Sequence, residues 1–92
     1  MVDVYTDWCG WCKTLDEETY TDARVVEFAA DDFISVKVNG DYDNNFAMKY
    51  GIRSYPTILF TDSMGNELHR VIGFRNADEF LVEMETARLK VY

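Results

Sequence analysis

The sequence predicts a single α/β domain over residues 1–92, in which helices flank a mixed four-stranded sheet in the order β-α-β-α-β-β-α. Short β-prone runs alternate with helix-prone stretches in the first half of the chain. In the second half, the turn sequence "TDSMGN" separates two β-prone runs, which predicts an antiparallel hairpin. An amphipathic helical pattern follows the hairpin near the end of the chain.

The first half begins with a strand and two helical segments. Residues 2–5 are apolar and β-prone, apart from one aspartate. Residues 10–19 are polar but helix-prone, and a further helix is predicted over 22–30. Thr21 or Asp22 can cap that helix, because both side chains accept hydrogen bonds from free backbone N–H groups. The first strand is therefore followed by helix.

The stretch "FISVKVN", residues 33–39, alternates in the manner of a strand. Ile34, Val36 and Val38 fall on one side and form a clear apolar face. Because helix joins this strand to the first one, we expect the two to be parallel with a right-handed crossover. The four phenylalanines at 28, 33, 60 and 80 are assigned to the core.

The second half is predicted as helix, hairpin and helix. The helix covers 44–50, the hairpin strands cover 56–60 and 67–73, and Gly51 ends the first helix. Asn76 caps the last helix, and Glu79 three residues later is typical of a capping box.

Composition excludes several classes of function. The formal net charge is −8 and the isoelectric point is about 4.4, so the surface repels phosphate backbones and nucleic-acid binding is not expected. No apolar run is long enough to cross a bilayer, so membrane insertion is not expected. The opening "MVDVY" does not resemble a signal peptide.

Both cysteines of the chain occur in "WCGWCK", with the spacing of half a zinc site or of a redox pair. Structural zinc needs four ligands, and His69 is the only histidine in the chain. We therefore predict no metal site. The redox interpretation has a direct mechanism, because a thiolate is favoured where a helix begins. Cys9 is expected to be the exposed nucleophile, and Cys12, one turn further and facing inward, the resolving thiol.

Two segments carry a resemblance to a known family. "VDVYTDWCGWCK" resembles the active-site segment of thioredoxins, and "YGIRSYPTILF" resembles the thioredoxin segment around the cis-proline. The resemblance extends from Val2 to about Leu89. The "WCGWCK" form is more similar to thiol reductases related to the C-terminal domain of bacterial transmembrane disulfide reductases. It implies a thioredoxin-like fold and activity on protein disulfides.

The resemblance also implies roles for individual residues. Asp3, six positions before Cys9, matches the buried acid of the family, which accepts the proton of the resolving cysteine through a water, and Lys37 matches the lysine that accompanies this acid. Four residues match positions of the substrate-binding surface: Trp8, Tyr55, Pro56 as the cis-proline, and Gly73.

Asp3 can also be judged on physical grounds. A carboxylate in an apolar strand is costly unless it is paired or neutral, and desolvation would raise its pKa towards a range that suits proton transfer. The alternative is a solvated residue near the chain start. Asp16, Glu17 and Glu18 are interpreted as a solvated helix face.

Two features depart from the thioredoxin pattern. Trp11 stands where thioredoxins carry a proline between the cysteines, so the redox potential is not assigned. The domain is also expected to lack the strand and helix that usually precede the motif in thioredoxins. We therefore expect residues 33–39 to form an uncovered edge of the sheet.

These observations predict a thiol–disulfide oxidoreductase that reduces protein disulfides through Cys9 and Cys12. It would need no bound cofactor, act as a monomer, and receive electrons from a reductase or a membrane disulfide transporter. The resemblance favours an extracytoplasmic setting over a cytoplasmic one. The alternatives are a non-catalytic module that binds clients in the groove at Pro56 and, less favoured, a metal-binding domain.

Overall fold

A computed structural model describes residues 1–90 of the chain. The predicted order of elements and the mixed four-stranded sheet are both present. The elements are β1 (Val2–Tyr5), α1 (Gly10–Thr14), a π-helical segment (Leu15–Thr19), α2 (Ala23–Asp32), β2 (Val36–Asn39), α3 (Asn44–Lys49), β3 (Thr57–Thr61), β4 (Glu67–Ile72) and α4 (Ala77–Leu89).

The strands of the sheet lie in the order β2-β1-β3-β4. β1 is parallel to β2 and antiparallel to β3, and β3 forms the predicted hairpin with β4. In this register Asp3 lies opposite Lys37 on β2 and opposite Ile58 on β3. The carboxylate of Asp3 is thus carried by an inner strand, with a lysine directly beside it.

The core lies between the sheet and α4, the π-helical segment and α2. Its largest buried side chains include Leu15, Ile58, Phe80 and Met84. Burial of a side chain of this size stabilises the fold by roughly 1.5–3 kcal/mol. Of the four phenylalanines assigned to the core, those at 60 and 80 are buried, and those at 28 and 33 pack partly buried against it.

The helix caps follow the sequence closely. The Asn76 side chain accepts from the Glu79 backbone N–H and the Glu79 carboxylate accepts from the Asn76 N–H, which confirms the capping box. Of the two candidates for the cap of α2, Asp22 takes the position and accepts from the Arg24 N–H at 2.9 Å.

The helix predicted over residues 10–19 is not one regular α-helix. It changes at Leu15 into a π-helical segment, and the Tyr20 N–H donates to the Leu15 carbonyl at 3.0 Å. The wider turn accommodates an extra residue, so that Leu15 and Thr19 are both buried. The π-helical segment also sets the directions in which the side chains of Asp16 and Tyr20 point. Both side chains belong to the site described below.

The prediction for residues 33–39 is wrong in the length of the strand, which covers only Val36–Asn39. The expected uncovered edge is confirmed, since β2 is the outer strand of the sheet, and Ile34 is 88% exposed and Val36 is 50% exposed. Phe33 packs against the core as predicted, stacked on Phe28 with ring centroids 5.8 Å apart.

Candidate active site

The two cysteines are bonded to each other where α1 begins. Cys9 is the residue before the first turn of α1, and Cys12 lies on the buried side of that helix. The Cys9–Cys12 disulfide joins Cα atoms 5.3 Å apart. The Cys12 N–H donates to Cys9 Sγ at 3.1 Å. A hydrogen bond of this kind favours the ionised form of the sulfur after the disulfide is reduced.

The expectation that Cys9 is exposed is wrong for this disulfide-bonded state. Cys9 and Cys12 are both only 5% exposed. The physical reason is the bond itself, since Cys12 faces the core and holds the Cys9 sulfur against the helix. Another sulfur reaches Cys9 only by a close approach to the surface around it.

Exposed indoles precede and follow Cys9 along the chain. Trp8 is 68% exposed, and its Nε1–H donates to Asp41 Oδ2 at 2.8 Å. Its ring meets the Tyr55 ring edge-on, with centroids 5.8 Å apart. Trp11 is 62% exposed and lies on Phe74, with centroids 5.4 Å apart. Both indoles are held by specific partners while most of their surface remains open.

The predicted substrate-binding residues are connected through the proline loop. The Tyr55–Pro56 peptide bond is cis, and the Pro56 carbonyl accepts from the Gly73 N–H at 2.9 Å. Gly73 has φ of +89°, a conformation that L side chains rarely adopt. Because Trp8 contacts Tyr55, direct contacts connect the four predicted residues, and the Pro56 side chain among them is fully buried.

Asp3 is buried, with 4% exposure, and is not a solvated residue near the chain start. Its Oδ2 lies 3.4 Å from Lys37 Nζ. Its Oδ1 is buried and has no hydrogen-bond partner among the described residues. Burial raises the pKa of Asp3, and the positive charge of Lys37 only partly opposes that rise. Asp3 is therefore suited to hold a proton at a higher pH than an ordinary aspartate.

Lys37 is shared between Asp3 and Asp16. The Lys37 ammonium donates to Asp16 Oδ1 at 2.6 Å and lies over the Tyr5 ring, 5.0 Å from its centroid. Burial lowers the pKa of Lys37, but the Asp16 hydrogen bond and the nearby carboxylates outweigh it and raise the pKa overall. Lys37 therefore stays charged beside Asp3.

The interpretation of Asp16 as part of a solvated face is incomplete, because its side chain is 45% exposed but its carboxylate also holds Lys37. The sequence does carry a signal for this residue, since Asp16 lies four residues after Cys12, on the same side of a helix. Glu17 and Glu18 are exposed as predicted.

Tyr20 is a second residue of the site that sequence reasoning misses. Its hydroxyl is buried and makes no hydrogen bond among the described residues. Burial, followed by the negative charge of Asp3, raises the pKa of Tyr20. No sequence pattern marks this residue, because its direction depends on the π-helical segment.

Residues 1–90 contain no group of three or more His, Cys, Asp or Glu side chains arranged to hold a metal ion. Within the same range, no helix combines the length and the apolar character that a membrane span requires.

Comparison with known proteins places this chain in a family. A model of the thioredoxin-like domain matches residues 1–88. The thiol:disulfide interchange protein DsbD of Tatumella citrea is 37% identical over 93 residues, covering 96% of this chain and 16% of the relative. DsbD of Ralstonia nicotianae is 35% identical over 91 residues, covering 95% of this chain and 15% of the relative. The chain thus spans about a sixth of the length of these relatives.

Solved structures agree with this placement. A thioredoxin from Thermus thermophilus superposes with a TM-score of 0.82 at 22% identity, covering 97% of this chain and 72% of that one, which shows the fold. The C-terminal domain of Neisseria meningitidis DsbD in its reduced form gives a TM-score of 0.77 at 25% identity, covering 94% of this chain and 77% of that one. The predicted thioredoxin-like fold is confirmed, and the chain belongs to the thioredoxin-like domain family.

Proposed function

We propose that this domain is a thiol–disulfide oxidoreductase that reduces disulfides of protein substrates through Cys9 and Cys12. The observation that carries the proposal is the Cys9–Cys12 bond where α1 begins, with the Cys12 N–H directed at Cys9 Sγ. A disulfide that closes so short a loop constrains the unfolded chain little. A role in redox chemistry therefore explains the Cys9–Cys12 disulfide better than a contribution to stability does.

The reaction transfers two electrons from the reduced pair to the substrate. The Cys9 thiolate attacks one sulfur of the substrate disulfide, so that a Cys9–substrate disulfide forms and a substrate thiolate leaves. The Cys12 thiolate then attacks Cys9 Sγ, which forms the Cys9–Cys12 disulfide and releases the second substrate thiolate. The product state of the domain is the disulfide-bonded state described above.

Asp3 is proposed to take the proton from Cys12 before the second step. Its raised pKa supports this role, because an acceptor is most effective when its pKa lies near the working pH. Lys37 keeps a positive charge beside Asp3 and so limits how far burial can raise that pKa. Asp16 holds Lys37 in place through the 2.6 Å contact.

The substrate is proposed to lie as an extended segment across Trp8, Tyr55, Pro56 and Gly73. The backbone of Tyr55 can hydrogen-bond such a segment as an added strand would. Exposed indoles at 8 and 11 offer apolar area beside a nearly buried sulfur.

The domain is proposed to work with two kinds of partner: a disulfide-containing protein and an upstream electron donor. The donor would be a reductase or a membrane disulfide transporter. The DsbD relatives support this view, since their name describes thiol:disulfide interchange. We further propose that the domain acts as a monomer in an extracytoplasmic setting.

The competing function is a client-binding module whose cysteines are idle. Insulin reduction by dithiothreitol-treated protein separates the two, with the Cys9→Ser/Cys12→Ser protein as the matched control. We expect the wild-type protein to accelerate insulin precipitation and the double variant to give only the background rate. Equal rates for the two proteins would overturn the proposal in favour of a binding module.

A further inference from the structure

Three buried polar side-chain atoms have no hydrogen-bond partner among residues 1–90: Asp3 Oδ1, Thr6 Oγ1 and the Tyr20 hydroxyl. Of these residues, Asp3 and Tyr20 line the same cleft. Buried polar atoms are nearly always hydrogen-bonded, and an unpaired one destabilises the fold. The two side chains also interact electrostatically with each other. The Tyr20 hydroxyl can donate a hydrogen bond and Asp3 Oδ1 can accept one, so each group can satisfy the other.

A cleft of about 290 Å³ lies beside Asp3 and Tyr20. We call it the α2–β2 cleft, because Val25 and Val26 of α2 line one side of it and Val36 and Lys37 of β2 line the other. Asp3 and Tyr20 also line it. Val26 is 52% exposed and Val36 is 50% exposed, so the cleft opens to solvent between α2 and the sheet edge. Its volume exceeds the ~30 Å³ that one water occupies in the liquid.

We propose that Tyr20 is a positioning residue whose hydroxyl donates a hydrogen bond to Asp3 Oδ1, directly or through a water in the α2–β2 cleft, when Asp3 is ionised. The inference rests on the proposed function and deepens it by adding a residue to the proton-transfer step. In that step the Cys12 S–H bond breaks, its electron pair stays on sulfur, and the proton moves to Asp3. The proton then leaves Asp3 for solvent water.

The arrangement of the groups around Asp3 makes Tyr20 the candidate donor of a hydrogen bond to Asp3 Oδ1. Lys37 on β2 faces Oδ2 and is also held by Asp16 from the π-helical segment. The Met1 ammonium, at the start of β1, donates instead to the Ile34 carbonyl at 2.9 Å. The cysteine pair lies where α1 begins, and α2 lines the cleft with apolar side chains. Thr6 Oγ1 is also unpaired but does not line the α2–β2 cleft, so the donors that this cleft offers to Oδ1 are the Tyr20 hydroxyl and water.

The hydroxyl of Tyr20 remains a donor under all working conditions, because burial and the charge of Asp3 raise its pKa. The ring of Tyr20 has a separate role in packing, since it lies edge-on against Phe80 with centroids 5.6 Å apart. Phenylalanine can make the same ring contact. Tyr20→Phe therefore removes the hydrogen-bond donor and keeps the packing.

The test measures the pKa of Asp3 by carbon-detected NMR of its carboxyl group in the disulfide-bonded protein, where neither cysteine titrates. We expect Tyr20→Phe to raise the pKa of Asp3 by about one unit, since a hydrogen bond to the ionised form favours that form. The matched control is Tyr50→Phe, because the Tyr50 hydroxyl donates to the Gly65 carbonyl and not to Asp3. We expect that control to leave the Asp3 titration unchanged.

An unchanged or lowered Asp3 pKa in Tyr20→Phe would overturn the inference. Should that variant not fold, the wild-type protein supplies the same test. The Cζ resonance of Tyr20 should then shift with pH at the midpoint of the Asp3 carboxyl, and a flat Cζ resonance would overturn the inference.

A kinetic measurement links the titration to the reaction. Release of the mixed disulfide in a single turnover should slow several-fold in Tyr20→Phe at neutral pH and recover at higher pH. A loss that is the same at every pH would indicate a purely structural role and would overturn the inference. Failure of the wild-type protein to exchange any disulfide would overturn the proposed function instead, and the titration in the disulfide-bonded state would still decide the role of Tyr20.

Discussion

Asp3 and Lys37 lie opposite each other on the neighbouring parallel strands β1 and β2, and the Lys37 ammonium is 3.4 Å from Asp3 Oδ2. The pair is unequal, because Asp3 is almost fully buried while the Lys37 side chain is 46% exposed. Lys37 also forms an ion pair with Asp16. The neutralisation of Asp3 is therefore incomplete, and burial dominates its pKa.

We predict that Asp3→Asn stabilises the domain at neutral pH and removes part of its pH dependence. The folded-state pKa of Asp3 lies above its unfolded value, so its favourable contribution is fully present below about pH 4 and is lost as pH rises through the folded pKa. Urea unfolding of both proteins between pH 4 and pH 8 measures this. We expect a gain of about 1–2 kcal/mol for Asp3→Asn at pH 8 and a smaller difference at pH 4.

Asp31→Asn is the matched control for this experiment, because Asp31 is exposed on α2. The same substitution there should change the unfolding free energy by less than about 0.5 kcal/mol at either pH. Equal changes in unfolding free energy in the two variants would show that the effect comes from the change in net charge and not from the buried position of Asp3.

We predict that Asp3→Asn also separates the two chemical steps. Formation of the mixed disulfide depends on Cys9, while its release requires a deprotonated Cys12. Single-turnover kinetics should show release slowed by roughly 10²-fold or more, as is typical when a proton-transfer group is lost, with formation changed much less. If release keeps its wild-type rate, Asp3 has no part in the proton transfer.

We predict that the two cysteines respond differently to serine substitution. Cys12→Ser should accumulate a mixed disulfide with a protein substrate, because no thiol remains to release it. Cys9→Ser should accumulate far less, since Cys12 lies on the buried side of α1. Non-reducing electrophoresis and mass spectrometry of the trapped adduct measure the difference. Greater trapping by Cys9→Ser would reverse the assigned roles.

We predict that Trp11 affects reactions with proteins more than it affects stability. Its contact with Phe74 is largely exposed, and an aromatic pair contributes about 0.5–1.5 kcal/mol. A double-mutant cycle of Trp11→Ala and Phe74→Ala should give a coupling free energy in that range. Trp11→Ala should slow reduction of a protein disulfide more than reduction of a small aromatic disulfide. An equal loss for both substrates would place the effect in the cysteine pair itself.

Much of the fold follows from patterns that are local in sequence. The capping box at Asn76 and the hairpin around "TDSMGN" depend on neighbouring residues, so the sequence predicts them correctly. The exposure of Ile34 and Val36 does not follow from a local pattern. Alternation of apolar and polar residues predicts an apolar face of the strand, but it does not show whether another element covers that face. Sequence alone leaves two alternatives open for Asp3, buried or solvated, and the position of β1 between two strands decides for burial.

The parts of the site that sequence reasoning misses depend on tertiary geometry. Asp16 has the helical spacing from Cys12, but only the position of Lys37 on the adjacent strand makes it part of the site. Tyr20 approaches Asp3 through the π-helical segment, which no local pattern of the sequence indicates. The 5% exposure of Cys9 describes the disulfide-bonded state, and the bond to the inward-facing Cys12 is itself a tertiary feature.

We predict that Gly40→Ala disrupts the substrate-binding surface through Tyr55. Gly40 is buried where β2 ends, and a Cβ there would lie 2.6 Å from Tyr55 Cε1, closer than real Cβ atoms approach. Either the backbone shifts or the Tyr55 ring moves, and the ring contact with Trp8 is then lost. We expect a loss of about 1–3 kcal/mol in unfolding free energy, as for overpacking in general, and a raised KM for the protein substrate.

Gly10→Ala is the matched control for that prediction. A Cβ at Gly10 meets nothing within 4 Å, and Gly10 is the first residue of α1, where alanine is a better helix former. Its unfolding free energy should therefore equal or exceed that of the wild-type protein. Urea unfolding and insulin-reduction kinetics of both variants test the pair. A Gly40→Ala protein with wild-type stability and KM would show that Tyr55 can yield without cost, and that its ring does not shape the binding surface.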